Sequence, residues 1–388
     1  MAFPSKPVSQ LLGSNGPVHA VAYSASPGTY ILAGSADRSI RLYNPSPASG
    51  QAAAVTATAA GGSPPEGRLI QTYSAHGYEV LSLAVAADNA RFASSGGDRA
   101  VFLWDVATAT TLRRFGASAP DGHSSRVNCV AFAGDGDSVL ASGGFDTTVK
   151  LWDCKGGGNG GRPVQTLADA KDGVSAIVVR GPEVVAGSVD GRVRAYDVRM
   201  GRCVVDVAAG PVTSLSMARD GAALLVGSLG PAGLRLMDRT SGACLRTYGG
   251  DAGSAPAAGA GAGAGADPTA QGAPAWRNES LRVQSILGGG ERFVVAGDEM
   301  SAPAASGGGD EDGRVWAWDL LTGKTVATLS VPWGPAAGGE RKRRAIGRDG
   351  KEKGRKNIVS CLAWREDGWG NQFCVGGSSG AVTVFGSA

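Results

Sequence analysis

A short motif recurs along this chain, and it leaves few folds open. A small-residue step leads to a turn residue, then to a brief run of strand formers, then to an aromatic residue that is often followed by Asp. Four copies read Gly34 through Asp37 to Tyr43, Gly96 through Asp98 to Trp104-Asp105, Gly143 through Asp146 to Trp152-Asp153, and Gly187 through Asp190 to Tyr196-Asp197. A fifth, degenerate copy runs from Gly227 through Gly230 to Met237-Asp238. A sixth ends with Asp312-Gly313 and Trp318-Asp319, and a seventh spans Gly376 to Phe385. Each copy reads as a strand, a tight turn at Asp-Gly or Asp-Arg, and a second strand of β-branched and aromatic residues. A further turn follows the aromatic, as at Asp197-Val-Arg-Met-Gly201 and Asp319-Leu-Leu-Thr-Gly323, and bends the chain into the next strand.

The spacing between copies is uneven until inserts are set aside. Residues 46–67, 156–161, 250–275, 300–310 and 333–356 are rich in Gly, Ala, Pro and Ser or in charge, and read as flexible surface loops. What remains averages about 43 residues per repeat, the size of a four-stranded propeller blade. Gly and Pro, 62 and 19 of 388 residues, exclude a helix-dominated protein. The expected fold is therefore all-β: residues 1–388 form one seven-bladed propeller, with blades ending near Tyr43, Trp104, Trp152, Tyr196, Met237, Trp318 and Phe385. The last blade lacks an outer strand after Phe385, which would leave an open edge. Residues Pro7–Leu12 can supply that strand and close the ring.

Two repeats carry a further set at matched offsets: His76, Ser94, Asp98 and Trp104, and His123, Ser142, Asp146 and Trp152. A His/Ser/Asp set invites a hydrolase reading. Its recurrence with Trp in the same place favours a structural chain of hydrogen bonds, and no GxSxG elbow accompanies it. No catalytic residue, metal site or cofactor is expected. His19 has no cysteine or acid cluster around it. Leu321-Thr-Gly-Lys-Thr325 resembles the end of a phosphate loop, but Trp318 stands where the first glycine is required. Glycines 259–265 alternate with alanine outside any strand-to-helix frame. The six cysteines, at 129, 154, 203, 244, 361 and 374, show no CxxC spacing and read as reduced thiols of an intracellular protein. No signal peptide or spanning helix is visible, and the sequon Asn278-Glu-Ser280 is given no weight without one.

The net charge is +3, yet residues 341–356 hold nine Lys/Arg against two acids, so the rest of the chain is mildly acidic. Within that segment lie Arg341, Lys342, Arg343, Arg344, Lys351, Lys353, Arg355 and Lys356. It reads as a solvated loop, a nuclear import signal, or a contact for RNA or an acidic partner; the lack of interleaved aromatics argues against base stacking. Arg41, Lys150, Arg194 and Arg235 fall at equivalent strand positions and are expected to pack their stems between blades with their heads in water. Candidate partner contacts are the turn residues Arg38, Arg99, Phe145 and Arg192. Phe145 reads either as an exposed anchor or as packing on a neighbouring loop.

With its Trp-Asp dipeptides at 104–105, 152–153 and 318–319, the chain resembles the WD40-repeat proteins. More narrowly it resembles the mitogen-activated protein kinase organizer 1 family. The matching stretches are Ala75–Val80, Ser95–Val101, Leu103–Val106, Pro163–Leu167, Asp172–Ser175, Ala186–Arg194, Tyr196-Asp197 and Arg199–Gly201. That resemblance implies a non-enzymatic scaffold for kinase-cascade components that also associates with the splicing machinery. It implies residence in cytoplasm and nucleus, RNA contact only indirectly or through the basic segment, no membrane association, and a monomer within larger complexes. A dedicated spliceosome subunit and a ubiquitin-ligase substrate receptor are the alternatives. The long inserts and the degenerate fifth repeat depart from the family.

Overall fold

The computed structural model describes residues 2–47, 64–116, 120–156, 161–230, 233–249, 276–300, 302–303, 311–333, 356–365 and 371–387. They build seven antiparallel sheets. Blade one comprises Val18–Tyr23, Ile31–Ser35, Ser39–Pro47 and Gly67–Ser74. Blade two comprises Val80–Val85, Arg91–Gly96, Val101–Asp105 and Thr111–Phe115, and blade three Val127–Ala133, Val139–Gly144, Val149–Asp153 and Gln165–Leu167. Blade four follows with Val174–Arg180, Glu183–Ser188, Arg192–Asp197 and Arg202–Val207. Blade five has Val212–Met217, Ala223–Ser228, Leu234–Asp238 and Cys244–Tyr248, and blade six Ser285–Gly288, Phe293–Gly297, Glu311–Asp319 and Thr325–Val331. Blade seven takes Val359–Trp364, Gln372–Gly377 and Val382–Gly386 from one end of the chain and Lys6–Leu11 from the other. Lys6–Leu11 lies antiparallel to Val382–Gly386, with Pro7 opposite Phe385 and Leu11 opposite Val382.

The first strands of the seven blades neighbour one another in cyclic order, blade seven against blade one, and so surround a central channel. The apolar residues explain why the ring closes. The buried side chains fall into seven clusters, and each straddles one of the seven blade-to-blade junctions. Ile40, Leu42 and Tyr73 of blade one, for example, pack on Phe92 and Trp104 of blade two. The second strand of each blade is therefore covered on both faces, and Ile31–Ser35 is buried at every position. Outer strands show the opposite pattern, as in the largely exposed Arg202–Val207.

A one-residue bulge recurs at the same place in six of the inner strands. The register slips between Val18 and Ala20, Val80 and Ser82, Val127 and Cys129, Val174 and Ala176, Val212 and Ser214, and Val359 and Cys361. The extra residue leaves the period-two alternation and turns its side chain toward the channel. Three of these side chains tie one inner strand to the next. Asn128 Nδ2 donates to the Val174 carbonyl at 2.8 Å, Ser175 Oγ to Val212 at 2.5 Å, and Ser360 Oγ to Val18 at 3.2 Å.

Two of the expected inserts are shorter than the sequence suggested. Pro47 pairs with Gly67, and Pro65 and Glu66 contact Gln10, so both ends of the first insert belong to the sheet and the strap beside it. In blade six, Ala302–Pro303 pairs with Glu311 and Asp312 and extends the hairpin into the expected loop 300–310. Of the other inserts, only the end residues Gly156, Gly161, Trp333 and Lys356 are among the described residues. Four cysteines are buried, whereas Cys203 and Cys244 sit exposed on equivalent outer strands opposite Tyr196 and Met237. Asn278 of the sequon is buried and donates to Thr213 Oγ1 and the Ser228 carbonyl, which leaves no room for a glycan.

Candidate functional site: the turn face and the channel mouth

In blades one to four the turn between the second and third strands is organised by its Asp. In blade two His76 Nδ1 meets Asp98, His76 Nε2 meets Ser94 Oγ at 2.7 Å, and Trp104 Nε1 donates to the same hydroxyl at 2.8 Å. Blade three repeats the chain: His123 Nδ1 lies 3.0 Å from both Asp146 oxygens, Nε2 lies 2.8 Å from Ser142 Oγ, and Trp152 Nε1 donates to Ser142 at 2.7 Å. Ser94 and Ser142 are fully buried, so neither hydroxyl can reach a substrate. Burial alone would raise the Asp146 pKa; the bond from His123 and those from Ser124 and Thr148 outweigh it and hold the carboxyl at about 2. Asp98 is lowered for the same reasons.

Blades one and four lack the histidine, and an arginine from the third strand takes its place. Arg194 Nη2 lies 2.6 Å from Asp190 and Arg41 Nη2 lies 2.7 Å from Asp37. This corrects the expectation that these heads stand in water: Arg194 is 2% exposed and Lys150 7%. A guanidinium this far from solvent needs its counter-charge, and the turn Asp supplies it. Arg235 occupies the same position in blade five, where Gly230 replaces the Asp, and its buried Nε has no partner among the described residues. In blade six Trp316 Nε1 donates instead to the buried Asp298, whose pKa burial raises despite that bond and one from the Met300 amide.

The candidate contact residues sit around these anchors on one face of the ring. Arg38 and Arg99 have φ of 68° and 60° and close their turns in the left-handed region, as Thr147 and Gly191 do in blades three and four. Arg38, Arg99 and Arg192 are exposed. Phe145 is 47% exposed, and Arg126 lies 4.9 Å over its ring, so it is partly an open anchor and partly covered. Of the basic segment only Lys356 is described: it pairs with Glu311 at 3.5 Å on the surface, and its carbonyl accepts from Ser378. Arg341, Lys342, Arg343, Arg344, Lys351, Lys353 and Arg355 lie outside the described residues.

Inside this face opens the channel, a cavity of about 360 Å³ whose walls include His19, Leu81, Asn128, Ser175, Thr213 and Ser360, the six bulge residues. Arg126 and Arg282 complete its mouth. The repeat pattern did not mark these residues. The available signal was an arginine beside a buried valine at or just before the inner strand, at Arg126-Val127 and Arg282-Val283.

Comparison with known proteins agrees with this geometry. A family model described as WD domain, G-beta repeat matches residues 5–44, 67–105 and 116–153. WD repeat domain-containing protein 83 of Rattus norvegicus is 34% identical over 328 residues, covering 84% of this chain and 83% of that protein. This chain belongs to the WD repeat domain-containing protein 83 family. The homolog from Dictyostelium discoideum is 26% identical over 348 residues, 82% of this chain and 87% of its own. A guanine nucleotide-binding protein subunit beta from Zea mays is 33% identical over 127 residues, 32% of this chain and 33% of its own. The relationship within the family thus covers more than four fifths of the chain, whereas the more distant likeness covers about a third.

Proposed function

We propose that this member of the family is a non-catalytic scaffold that holds partner proteins on the turn face of its ring, organising components of a mitogen-activated protein kinase cascade and associating with pre-mRNA splicing complexes. The observation that carries the reading is a contrast on that face. The side chains of catalytic type are sealed into the His/Ser/Asp/Trp chains, while Arg38, Arg99, Arg192 and Phe145 stand exposed around them. Seven blades locked to their neighbours keep those groups at fixed separations, and two partners held at once gain effective concentration for each other without chemistry. The kinase and splicing roles rest on the resemblance of residues 73–201 to the kinase organizer family. The basic run Arg341–Arg344 favours a nuclear share of the protein beside a cytoplasmic one, and with it the alternative of a dedicated splicing subunit.

Affinity purification from separated nuclear and cytoplasmic fractions tests this. Kinases in the cytoplasmic eluate and splicing proteins in the nuclear eluate are the expected result. Splicing proteins alone select the narrower subunit, and an empty eluate from both fractions removes the scaffold reading.

A further inference from the structure

The channel mouth carries a charge arrangement that the exposed turns do not. Arg282 leaves blade six and reaches across to blade three, where its Nη1 donates to the Asn128 carbonyl at 3.2 Å. Arg126, also of blade three, stands close enough for the two guanidinium groups to repel each other. Among the described residues neither arginine has a carboxylate within ion-pair distance. The other turn-face arginines of this kind, Arg41 and Arg194, each have an Asp. Two acids bear on the channel walls: Glu79 acts on His19 from blade two, and Glu299 is engaged by the amide and hydroxyl of Ser280. Both arginines are solvent-exposed at the mouth, open to an incoming ligand. Two like charges facing a walled cleft focus a positive potential there, and a carboxylate offers the paired acceptors that a guanidinium fork matches.

We propose that the channel mouth receives an acidic segment of a partner protein, with an Asp or Glu side chain entering between Arg126 and Arg282 and an apolar neighbour resting on Phe145. The cavity of about 360 Å³ exceeds the ≈ 30 Å³ share of a single water by an order of magnitude, so it admits whole side chains. Leu229 and Pro211 add apolar surface to its wall, which suits a peptide more than a lone ion. Nucleic acid is the less favoured occupant. Stacking successive bases needs a row of aromatic faces, and beside His19 the described cavity wall offers only Phe145, one side of which Arg126 occupies. This inference deepens the scaffold reading and rests on it.

Fluorescence anisotropy with a labelled Asp/Glu-rich peptide carrying interspersed leucines is the direct test, with a Lys-rich peptide of equal length and an oligouridylate as the other arms. Binding of the acidic peptide is expected to weaken about tenfold or more in Arg126→Gln and in Arg282→Gln, the loss of a hydrogen bond to a charged group. Arg38→Gln, on the same face outside the channel, should change it less than about threefold, the effect of an exposed charge. Arg126→Gln keeps the test open should Arg282→Gln lose its bond to Asn128 and fail to fold, and thermal melting identifies that case. Acidic peptide that does not bind, or binds both channel variants as well as the parent, overturns the proposal. So does oligouridylate that binds more tightly and loses affinity in the same variants. A double variant that still captures the parent's partners from cell extract removes the channel reading and leaves the scaffold intact. A parent chain that captures none removes the scaffold itself.

Discussion

A single carboxylate decides the turn in each of blades one to four, and the sequence offers it one of two partners. Where the chain has a histidine before the inner strand, the Asp holds imidazole, serine and indole in one line; where it does not, an arginine on the third strand closes the charge. The histidine chain is fully paired and buried, so removing one member leaves others unsatisfied. His123→Ala is expected to cost roughly 1–3 kcal/mol in denaturant unfolding, through the orphaned Ser142 and Asp146. Asp146 also makes stability depend on pH. Its folded pKa of about 2 lies below the ordinary aspartate value of about 3.9. The group therefore contributes fully above pH ~4 and its contribution is lost as pH falls from about 4 to about 2. With partial exposure the amount is on the order of 1–2 kcal/mol. Asp146→Asn should be less stable than the parent at pH 6, and the gap should narrow by that amount at pH 2; a constant gap would mean the carboxylate charge contributes nothing. The recurrence of His, Ser, Asp and Trp at one offset made this network legible in the sequence. The arginine version was not, because position in a strand states which face Arg194 occupies and not which acid folds back over it.

At the scale of the strand, the inner faces are packed by what is missing as much as by what is present. Gly187 and Gly376 sit where a Cβ would stand 2.5 Å and 2.9 Å from methyl carbons of Val212 and Val18 in the following blade. These glycines let each second strand lie against the next inner strand. Gly187→Val should cost about 1–3 kcal/mol or more by overpacking, and the same change at Gly201, where no atom lies within 4 Å, provides a backbone-strain control because its φ is 63°. Gly187 has no left-handed φ to strain, so a Gly187→Val protein as stable as the parent would argue against close packing there. The strap supplies a complementary test. Leu11 is 1% exposed among Ile31, Tyr43, Cys374 and Val384, so Leu11→Ala is expected to cost about 2–5 kcal/mol as a buried truncation. Strand alternation and turn residues gave the hairpins away. The six bulges stayed hidden because one extra residue inverts the alternation without changing composition, and the channel lining is made of those residues. Phe3, which packs edge-on against Phe293 at 5.2 Å, was equally silent, as an isolated aromatic ahead of any repeat.

For the whole molecule, the seven clusters at seven junctions mean that no blade has a core of its own, so rigidity belongs to the closed ring. Changes inside a junction should therefore be felt globally, and changes on connecting segments should not. The basic run Arg341–Arg344 lies between Val331, the last residue of the outer strand of blade six, and Val359, the first of the inner strand of blade seven. Both ends are buried, at 3% and 1% exposure, so a substitution that keeps the length of the joining segment leaves the junctions on either side untouched. Replacing Arg341, Lys342, Arg343 and Arg344 by Ala should leave the melting temperature within the range of ordinary surface substitutions, about ±0.5 kcal/mol. If the run directs import, the same variant should shift from nucleus to cytoplasm in fluorescence imaging while its cytoplasmic partners still co-purify. A nuclear fraction equal to that of the parent would remove import as the role of the run and leave a solvated loop or a contact for RNA or an acidic partner.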